Sequence, residues 1–454
     1  MKSNEIKFKL LGYFKKKSRP SVTIIQDSRI DEGFQQQKSN SSCPSLNSSS
    51  EHKIGNIENG ILKDFLYCLP VELGCAILSL CDQQSLLTCH QVSKYWNVLC
   101  RDNIVWKQLY LNNLGDIYHS TLNLDYKSLY RRKAQLLQRW KNGTPIQLQT
   151  IIGHSDSIYC VQFDTTKIVT GSRDRTIKFW NPNTNKCIRT LSGHDASVLC
   201  LQYDQSILVS GSSDHTLLVW SLKTFTILYC LRGHTSGVLD VCFNDKLIIS
   251  CSKDATIRIW DRSKGQLIKV LVGHRGPVNA IQLIDQQLVS ASGDTFIKLW
   301  DIETGACLRD FLGHAYGLAC IRFDGKKIVS GSNDNKIKVW NAGKICFIYI
   351  YYVSFNSLFI LDTGECILTC EGHTGLVRSL HFDKDKIVSG SYDQSIRVWN
   401  IHTGECIKTF SKCHTSWVFD VMFDETKIIS TSQDQKILIM DFAYGIDTKN
   451  LIKS

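Results

Sequence analysis

Seven times between residues 154 and 440 the chain sets a His, an Asp 20 residues later, and a large apolar residue six residues beyond that. The His/Asp pairs are His154/Asp174, His194/Asp214, His234/Asp254, His274/Asp294, His314/Asp334, His373/Asp393 and His414/Asp434. Trp180, Trp220, Trp260, Trp300, Trp340 and Trp399 close six repeats, and Met440 closes the seventh. A hydroxyl stands four residues ahead of every Asp: Thr170, Ser210, Ser250, Ser290, Ser330, Ser389 and Ser430. A period of roughly 40 to 45 residues, opening on Gly-His and ending on Trp-Asp, is that of four-stranded propeller blades. Such a unit cannot bury both faces of its small sheet alone, so repeats stack radially until the ring closes. Seven repeats predict seven blades.

The strands inside a repeat are legible. Lys167-Ile168-Val169-Thr170-Gly171-Ser172 runs β-branched residues into a Gly-Ser turn, and Thr176-Ile177-Lys178-Phe179-Trp180 alternates polar and apolar as a half-buried strand does. Ile146 to Ile151, just before the first Gly-His, is the expected outer strand of the last blade. These repeats closely resemble the WD-repeat family. The resemblance implies that the His, Ser/Thr, Asp and Trp of a blade form one hydrogen-bonded network, so that the Asp and His are structural rather than catalytic. The last blade, with Cys413 in place of Gly and Met440 in place of Trp, is expected to have an incomplete network.

One junction is irregular. Trp-to-His spacing is 14 residues at four junctions and 15 at the last, but Trp340 to His373 is 33. Matching Asn341 and Leu361-Asp362-Thr363-Gly364 to Asp301-Ile302-Glu303-Thr304-Gly305 isolates an insert, Ala342 to Ile360, whose core from Ile345 to Val353 is strongly apolar. A membrane span needs about 20 apolar residues and would tear a closed ring. Surface loops are rarely so hydrophobic. We read the insert as intron sequence or a gene-model error. If present in the protein, it is expected to be an aggregation-prone rim strand.

Composition points to an interior compartment. No charged start followed by an apolar run marks a secretory signal. None of the 19 cysteines forms a Cys-x-x-Cys, and no metal site or cofactor is expected. Cys160, Cys200 and Cys320, and likewise Cys187, Cys307, Cys366 and Cys406, recur at equivalent positions, which reads as small buried core residues. Reduced thiols place the protein in the cytoplasm, the nucleus or both. Residues 1–60 are rich in Ser, Asn, Gln and Lys and are expected to be disordered. Lys15-Lys16-Lys17-Ser18-Arg19 reads as a solvated charge run, with nuclear localisation the sharper alternative. The net charge of +11 is spread over the chain without aromatic interleaving, so no nucleic-acid partner is expected, and no membrane.

Ahead of the propeller, Leu69 to Leu109 carries short helical stripes. Leu69-Pro70 opens a helix, with Pro tolerated in the first turn; Leu73, Ile77 and Leu80 share a face. Asp82 can cap a second helix bearing Leu86 and Leu87, and Val92, Trp96 and Leu99 line a third. A domain of about 45 residues is small enough to need a partner surface. The Leu-Pro, the central leucines and the Val-x-x-x-Trp spacing closely resemble the F-box. That resemblance implies docking on a Skp-type adaptor, and through it a cullin, by Leu69, Pro70, Leu73, Ile77, Leu80 and Leu86. Tyr126 to Lys141 holds six basic and no acidic side chains. It reads as a helix with a solvated basic face, and in F-box/WD proteins the corresponding segment is a rigid spacer.

The fold class is therefore an all-β seven-bladed WD-repeat propeller preceded by a small all-α F-box domain and a helical linker. Its parts are a tail (1–60), F-box (63–110), linker (111–143) and propeller (144–445). Val289 to Asp294 and Gly305 to Arg309 look most like the beta-transducin-repeat-containing subfamily. F-box/WD proteins are non-catalytic substrate receptors of SCF (adaptor, cullin, F-box) ubiquitin ligases, and seven-bladed members read phosphorylated degrons around the central channel. Two positions per repeat point there. One set is Tyr159, Leu199, Leu239, Asn279, Ala319, Arg378 and Phe419; the other is Arg173, Ser213, Lys253, Gly293, Asn333, Tyr392 and Gln433. The cations expected to bind substrate are Arg173, Lys253 and Arg378, with Arg275 at the mouth; Arg173 and Arg378 match the family's phosphate-holding positions. A guanidinium holds phosphate bidentately. Tyr392, with Leu199, Leu239, Tyr316 and Trp417, is expected to take an apolar degron residue. The alternative function is a WD-repeat scaffold whose F-box serves a non-degradative complex. No nucleophile or phosphate-binding Gly loop stands outside the repeats, so the chain is not expected to be an enzyme.

Overall fold

The structure, a computed structural model, describes residues 64–115, 124–343, 346–348, 359–361 and 364–451. They form two compact units, residues 64–115 with 124–130 and residues 131–451. The N-terminal tail, its basic cluster and most of the apolar insert lie outside the described residues.

The first unit is built from α1 (Val71–Leu78), α2 (Gln83–Cys89), α3 (Lys94–Arg101), α4 (Asn103–Leu114) and the start of α5 (Tyr126–Asn142). Each helix start is fixed locally. Pro70 sits at the N-cap of α1, the Asp82 carboxylate accepts from the Ser85 N–H at 2.7 Å, and Ser93 Oγ accepts from the Trp96 N–H at 3.2 Å. Leu78, Leu86, Trp96, Leu99, Trp106 and Leu109 are buried together. The indole N–H groups are satisfied inside that core, Trp96 to Asp64 Oδ1 at 2.6 Å and Trp106 to the Cys100 carbonyl at 2.8 Å.

The second unit is a closed ring of seven four-stranded antiparallel sheets. Blade 1 is Ile158–Phe163, Ile168–Ser172, Thr176–Trp180 and Cys187–Ser192. Blades 2 to 6 follow in chain order. Blade 7 combines Val418–Phe423, Lys427–Ser432 and Lys436–Asp441 with Gln147–Ile152 from the other end of the chain. The joining register runs from Gln147 opposite Asp441 to Ile152 opposite Lys436, so the predicted closing strand is present, displaced by one residue. Innermost strands neighbour one another around the axis, and blade 7 meets blade 1.

Every blade holds the His–Asp–hydroxyl part of the expected network, and blades 1 to 6 add the Trp. His Nδ1 lies 2.7–3.0 Å from the Asp carboxylate, and Nε2 2.7–2.9 Å from the buried hydroxyl. The Trp Nε1–H donates to that hydroxyl at 2.8–2.9 Å in blades 1 to 6. One proton assignment satisfies all four groups: neutral His gives its Nδ1 proton to Asp, and its Nε2 accepts from the hydroxyl that Trp donates to. Burial holds His234, His274, His314 and His373 below the usual imidazole value against the pull of their aspartates. Burial alone would raise the Asp254 carboxyl, but hydrogen bonds from Thr256 and His234 bring it down to about 2. Blade 7 lacks only the Trp donor; Met440 fills the space and is fully buried.

Three expectations need correction. Cys160, Cys200 and Cys320 are buried, but Cys187, Cys307, Cys366 and Cys406 are exposed, because each begins an outermost strand whose outer face meets solvent. The basic residues of α5 are not simply solvated. Lys133 is buried against Glu425 and the Leu451 carbonyl, Arg132 pairs with Asp447, and Arg139 donates to the Phe442 and Tyr444 carbonyls. Trp140 stacks on Phe442 at 4.0 Å and donates to the Glu425 carbonyl at 2.8 Å. Gly143, at φ 59°, then ends the helix, with the Thr144 N–H reaching back to the Arg139 carbonyl at 3.0 Å.

The third correction concerns the insert boundary. Ile337–Asn341 pairs with Cys366–Cys370, and the Asn341 N–H reaches the Glu365 carbonyl at 3.2 Å as Asp301 reaches Ala306 at 3.0 Å. Blade 5 is therefore completed across the insert. Ala342 is buried and donates to the Lys326 carbonyl at 2.8 Å, the contact that Ile302 makes to Gln286. It belongs to the blade, and the chain departs after it. Cys346–Ile348 and Phe359–Leu361 pair as a short hairpin. Among the described residues no helix is long and apolar enough to cross a membrane.

Candidate functional site

The ring leaves a central channel of about 300 Å³. Its mouth is shaped by one repeated irregularity. The first strand of every blade breaks register around a single residue: Tyr159, Leu199, Leu239, Asn279, Ala319, Arg378 or Phe419. A β-bulge re-aims the side chain it carries, and all seven line the channel. Repeat spacing located these positions; the bulge is the physical reason they point inward. The second set is held by its backbone. The Arg173, Lys253 and Tyr392 N–H groups donate to the Ser157, Gly237 and Leu376 carbonyls at 2.9–3.0 Å.

Of the predicted substrate-binding residues, three converge. Arg378 lines the channel, half-buried, and donates to the Ala319 carbonyl at 3.3 Å. Arg173 is exposed, with Nε 3.7 Å from Asp156. Burial raises the Tyr159 phenol above its ordinary value, while the positive charges of Arg173 and Arg378 beside it pull it down. Tyr392, also beside Tyr159, stacks face to face on Trp417 at 4.6 Å. Lys253 and Arg275, on blades 3 and 4, are exposed and, like Arg173 and Tyr392, do not line the channel itself.

Sequence reasoning missed the residues one step deeper. Asp240 and Asp420 sit in the channel wall, where burial raises both carboxyls despite nearby arginines and backbone donors. Asp420 bridges blades, accepting from Ser379 Oγ at 2.6 Å and from the Val161 N–H at 2.8 Å; Asp240 accepts from Ile281 at 3.0 Å. His381 also lines the channel; burial, then Arg322, lowers it to about 4. Aligning the residue after each bulge would have exposed the two acids among Cys160, Cys200, Ala280, Cys320 and Ser379. No group of three or more His, Cys, Asp or Glu among the described residues is placed to hold a metal.

The helical unit presents a second face. Leu73 and Leu80 are each 52% exposed, Pro70 is exposed, and Leu69 and Ile77 are half-buried. These lie opposite the buried Gly74, Cys75 and Leu78 of α1. Leu86 is not on this face. It is fully buried, because α2 turns Leu86 and Cys89 inward and leaves Leu87 outside. The outward set is therefore Leu69, Pro70, Leu73, Ile77 and Leu80, extended by Val71 and Leu87.

Comparison with known proteins agrees with both units. The family described as "F-box-like" matches residues 66–112, and "WD domain, G-beta repeat" matches 146–181, 185–221, 225–261, 265–301, 305–341, 364–400 and 404–441. Mouse "F-box/WD repeat-containing protein 2" is 32% identical over 130 residues, 28% of this chain and 31% of that protein. "Probable E3 ubiquitin ligase complex SCF subunit sconB" of Arthroderma benhamiae is 28% identical over 153 residues, 25% of this chain and 23% of that protein. The matched stretches thus span under a third of either relative. Among solved structures, the computationally designed Ika8 protein superposes with a TM-score of 0.52 at 31% identity, covering 64% of this chain and 85% of that one.

Proposed function

This chain belongs to the F-box/WD-repeat family, and from that premise we propose that it is the substrate-recognition subunit of an SCF-type ubiquitin ligase. The outward leucines of α1 dock a Skp-type adaptor and, through it, a cullin. The propeller mouth holds phosphorylated protein substrates. The observation that carries this reading is Arg378, set on the bulge of blade 6 in the channel lining, with Arg173 on the rim of blade 1. Arg173 makes only a long, exposed ion pair to Asp156 at 3.7 Å, and Arg378 donates to the Ala319 backbone carbonyl at 3.3 Å. A phosphate brought there gains two charge-assisted donors. Ubiquitin transfer is supplied by the enzyme on the cullin arm; this chain contributes proximity, the effective concentration of substrate beside that enzyme. The same reading places the protein in the cytoplasm or nucleus, where thiols stay reduced.

Affinity purification with mass spectrometry, comparing the intact chain with Leu73→Glu/Leu80→Glu, tests it. Adaptor and cullin recovered only with the intact chain, together with proteins lost on phosphatase treatment, is the expected result. Partners recovered without adaptor or cullin would overturn it.

A further inference from the structure

The channel is lined in layers, because each innermost strand contributes one residue to each. Beneath the bulge residues and the acids lies a third layer, about 10 Å along the strand from the bulge. In blades 1, 2 and 4 it holds Gln162, Gln202 and Gln282. Blades 5 and 6, whose innermost strands are neighbours, break that pattern with Arg322 and His381 at the same register. Blades 4, 5 and 6 therefore set Gln282, Arg322 and His381 side by side along one arc of the wall.

Two of the glutamines show what a settled side chain does in this layer. Gln162 Oε1 accepts from the Tyr203 N–H at 2.7 Å while its Nε2 donates to the Tyr203 carbonyl at 3.2 Å, and Gln202 Oε1 accepts from the Phe243 N–H at 2.8 Å. Each ties its blade to the next. Among the described residues Gln282 and Arg322 make no such tie. Arg322 donates to the Ile321 carbonyl, its own chain neighbour, at 3.3 Å, which leaves most of a five-donor fork unspent. His381 packs edge-on against Phe423 at 5.0 Å, and its Nδ1 is buried without a partner. Buried polar atoms left unpaired are few in native proteins. The carboxylates of the lining are turned to other donors. Asp420 takes Ser379 Oγ and the Val161 N–H, Asp240 the Ile281 and Val241 N–H groups, and Asp324 those of Lys326 and Lys327. This arc thus offers spare donors where the nearby acceptors are already spent. The Arg322 charge disfavours a cation, and an apolar ligand would leave the donors unpaired. A small anion with paired oxygens matches a guanidinium fork.

We infer that Arg322, His381 and Gln282 form a site, inside the channel and below its mouth, for a free small oxyanion, either a phosphate or a carboxylate. The paired oxygens lie against the Arg322 fork, and the His381 ring and the Gln282 amide donate from the flanking blades. The site uses none of the rim residues and does not depend on the phosphopeptide reading above.

Isothermal titration calorimetry of the full chain tests it, with inorganic phosphate and with succinate as probes at constant ionic strength. Saturable binding of at least one probe is expected, and which of them binds separates a phosphate ligand from a carboxylate. Arg322→Gln should weaken that binding by about tenfold, and His381→Gln by about threefold. Both substitutions install the residue that the repeat itself places in this layer, so the melting temperature should hold. Arg322→Lys, which keeps the charge and loses the fork, should recover only part of the affinity. Failure of both probes to bind saturably overturns the site. Binding untouched by Arg322→Gln also overturns it, and loss of that binding in Arg173→Gln would then put the anion at the rim.

Discussion

A single hydroxyl illustrates how tightly each blade is held. Ser330 Oγ is fully buried, accepts from Trp340 at 2.8 Å and serves His314 Nε2 at 2.8 Å. Ser330→Ala orphans both partners, each costing about 1–3 kcal/mol, so a loss of about 2–6 kcal/mol is expected in urea denaturation. Ser430 has only His414 to serve, because Met440 replaces the Trp; Ser430→Ala should cost about half as much. A second residue-scale expectation concerns Asp156, whose carboxylate competes for Arg173 at 3.7 Å. Both groups are substantially exposed, so the competition is weak. Asp156→Asn should tighten phosphopeptide binding by about two- to fivefold in calorimetry.

Repetition turns these contacts into properties of the elements. In four blades burial holds the folded His below its unfolded value of 6.5, and Asp254 lies at about 2 against an ordinary 3.8. A depressed folded pKa gives stability that is complete above the unfolded value and lost as pH falls toward the folded one. Propeller stability should thus be greatest above about pH 7, decline as pH drops through the imidazole range, and fall again below about pH 4. Asp240 and Asp420 are shifted upward and act in the opposite sense, favouring acid; thermal melts from pH 8 to 3 would show which sense prevails. Among the helices, Leu73→Glu should abolish adaptor capture and leave the melting curve in place, whereas Leu86→Ala should cost about 2–5 kcal/mol of stability. The distinction between those leucines was not legible in the sequence. Helical spacing put Leu86 and Leu87 side by side, and only the packing of α2 against α3 decides which faces inward. The blade networks were legible because repetition supplies seven readings of one pattern. The bulges were not, since a bulge alters hydrogen-bond register without requiring a particular residue, although the same repeat alignment held the acids behind them.

At the scale of the whole chain, the insert and the linker helix behave oppositely. Ala342 completes blade 5 and Glu365 resumes it, so deleting residues 343–361 should restore an ordinary repeat. Stability of the shortened protein should change by less than about 1 kcal/mol, as loop shortening usually does, and light scattering on heating should diminish. Trp140 lies far from any repeat signature, yet it stacks on Phe442, anchors Glu425 and lies under Lys386 at 4.6 Å. Trp140→Ala should cost about 3–5 kcal/mol and lower the melting temperature of the propeller. Its role was invisible in the sequence because its partners lie nearly 300 residues away in sequence.

Blade 7 also sets the order in which the protein can be made. Gln147–Ile152 leaves the ribosome first among the strands, and its partner Lys436–Asp441 leaves last. Until Lys436–Asp441 is made, Gln147–Ile152 has no partner strand and the propeller is an open arc, so a chain truncated before Lys436 lacks the strand that closes the ring.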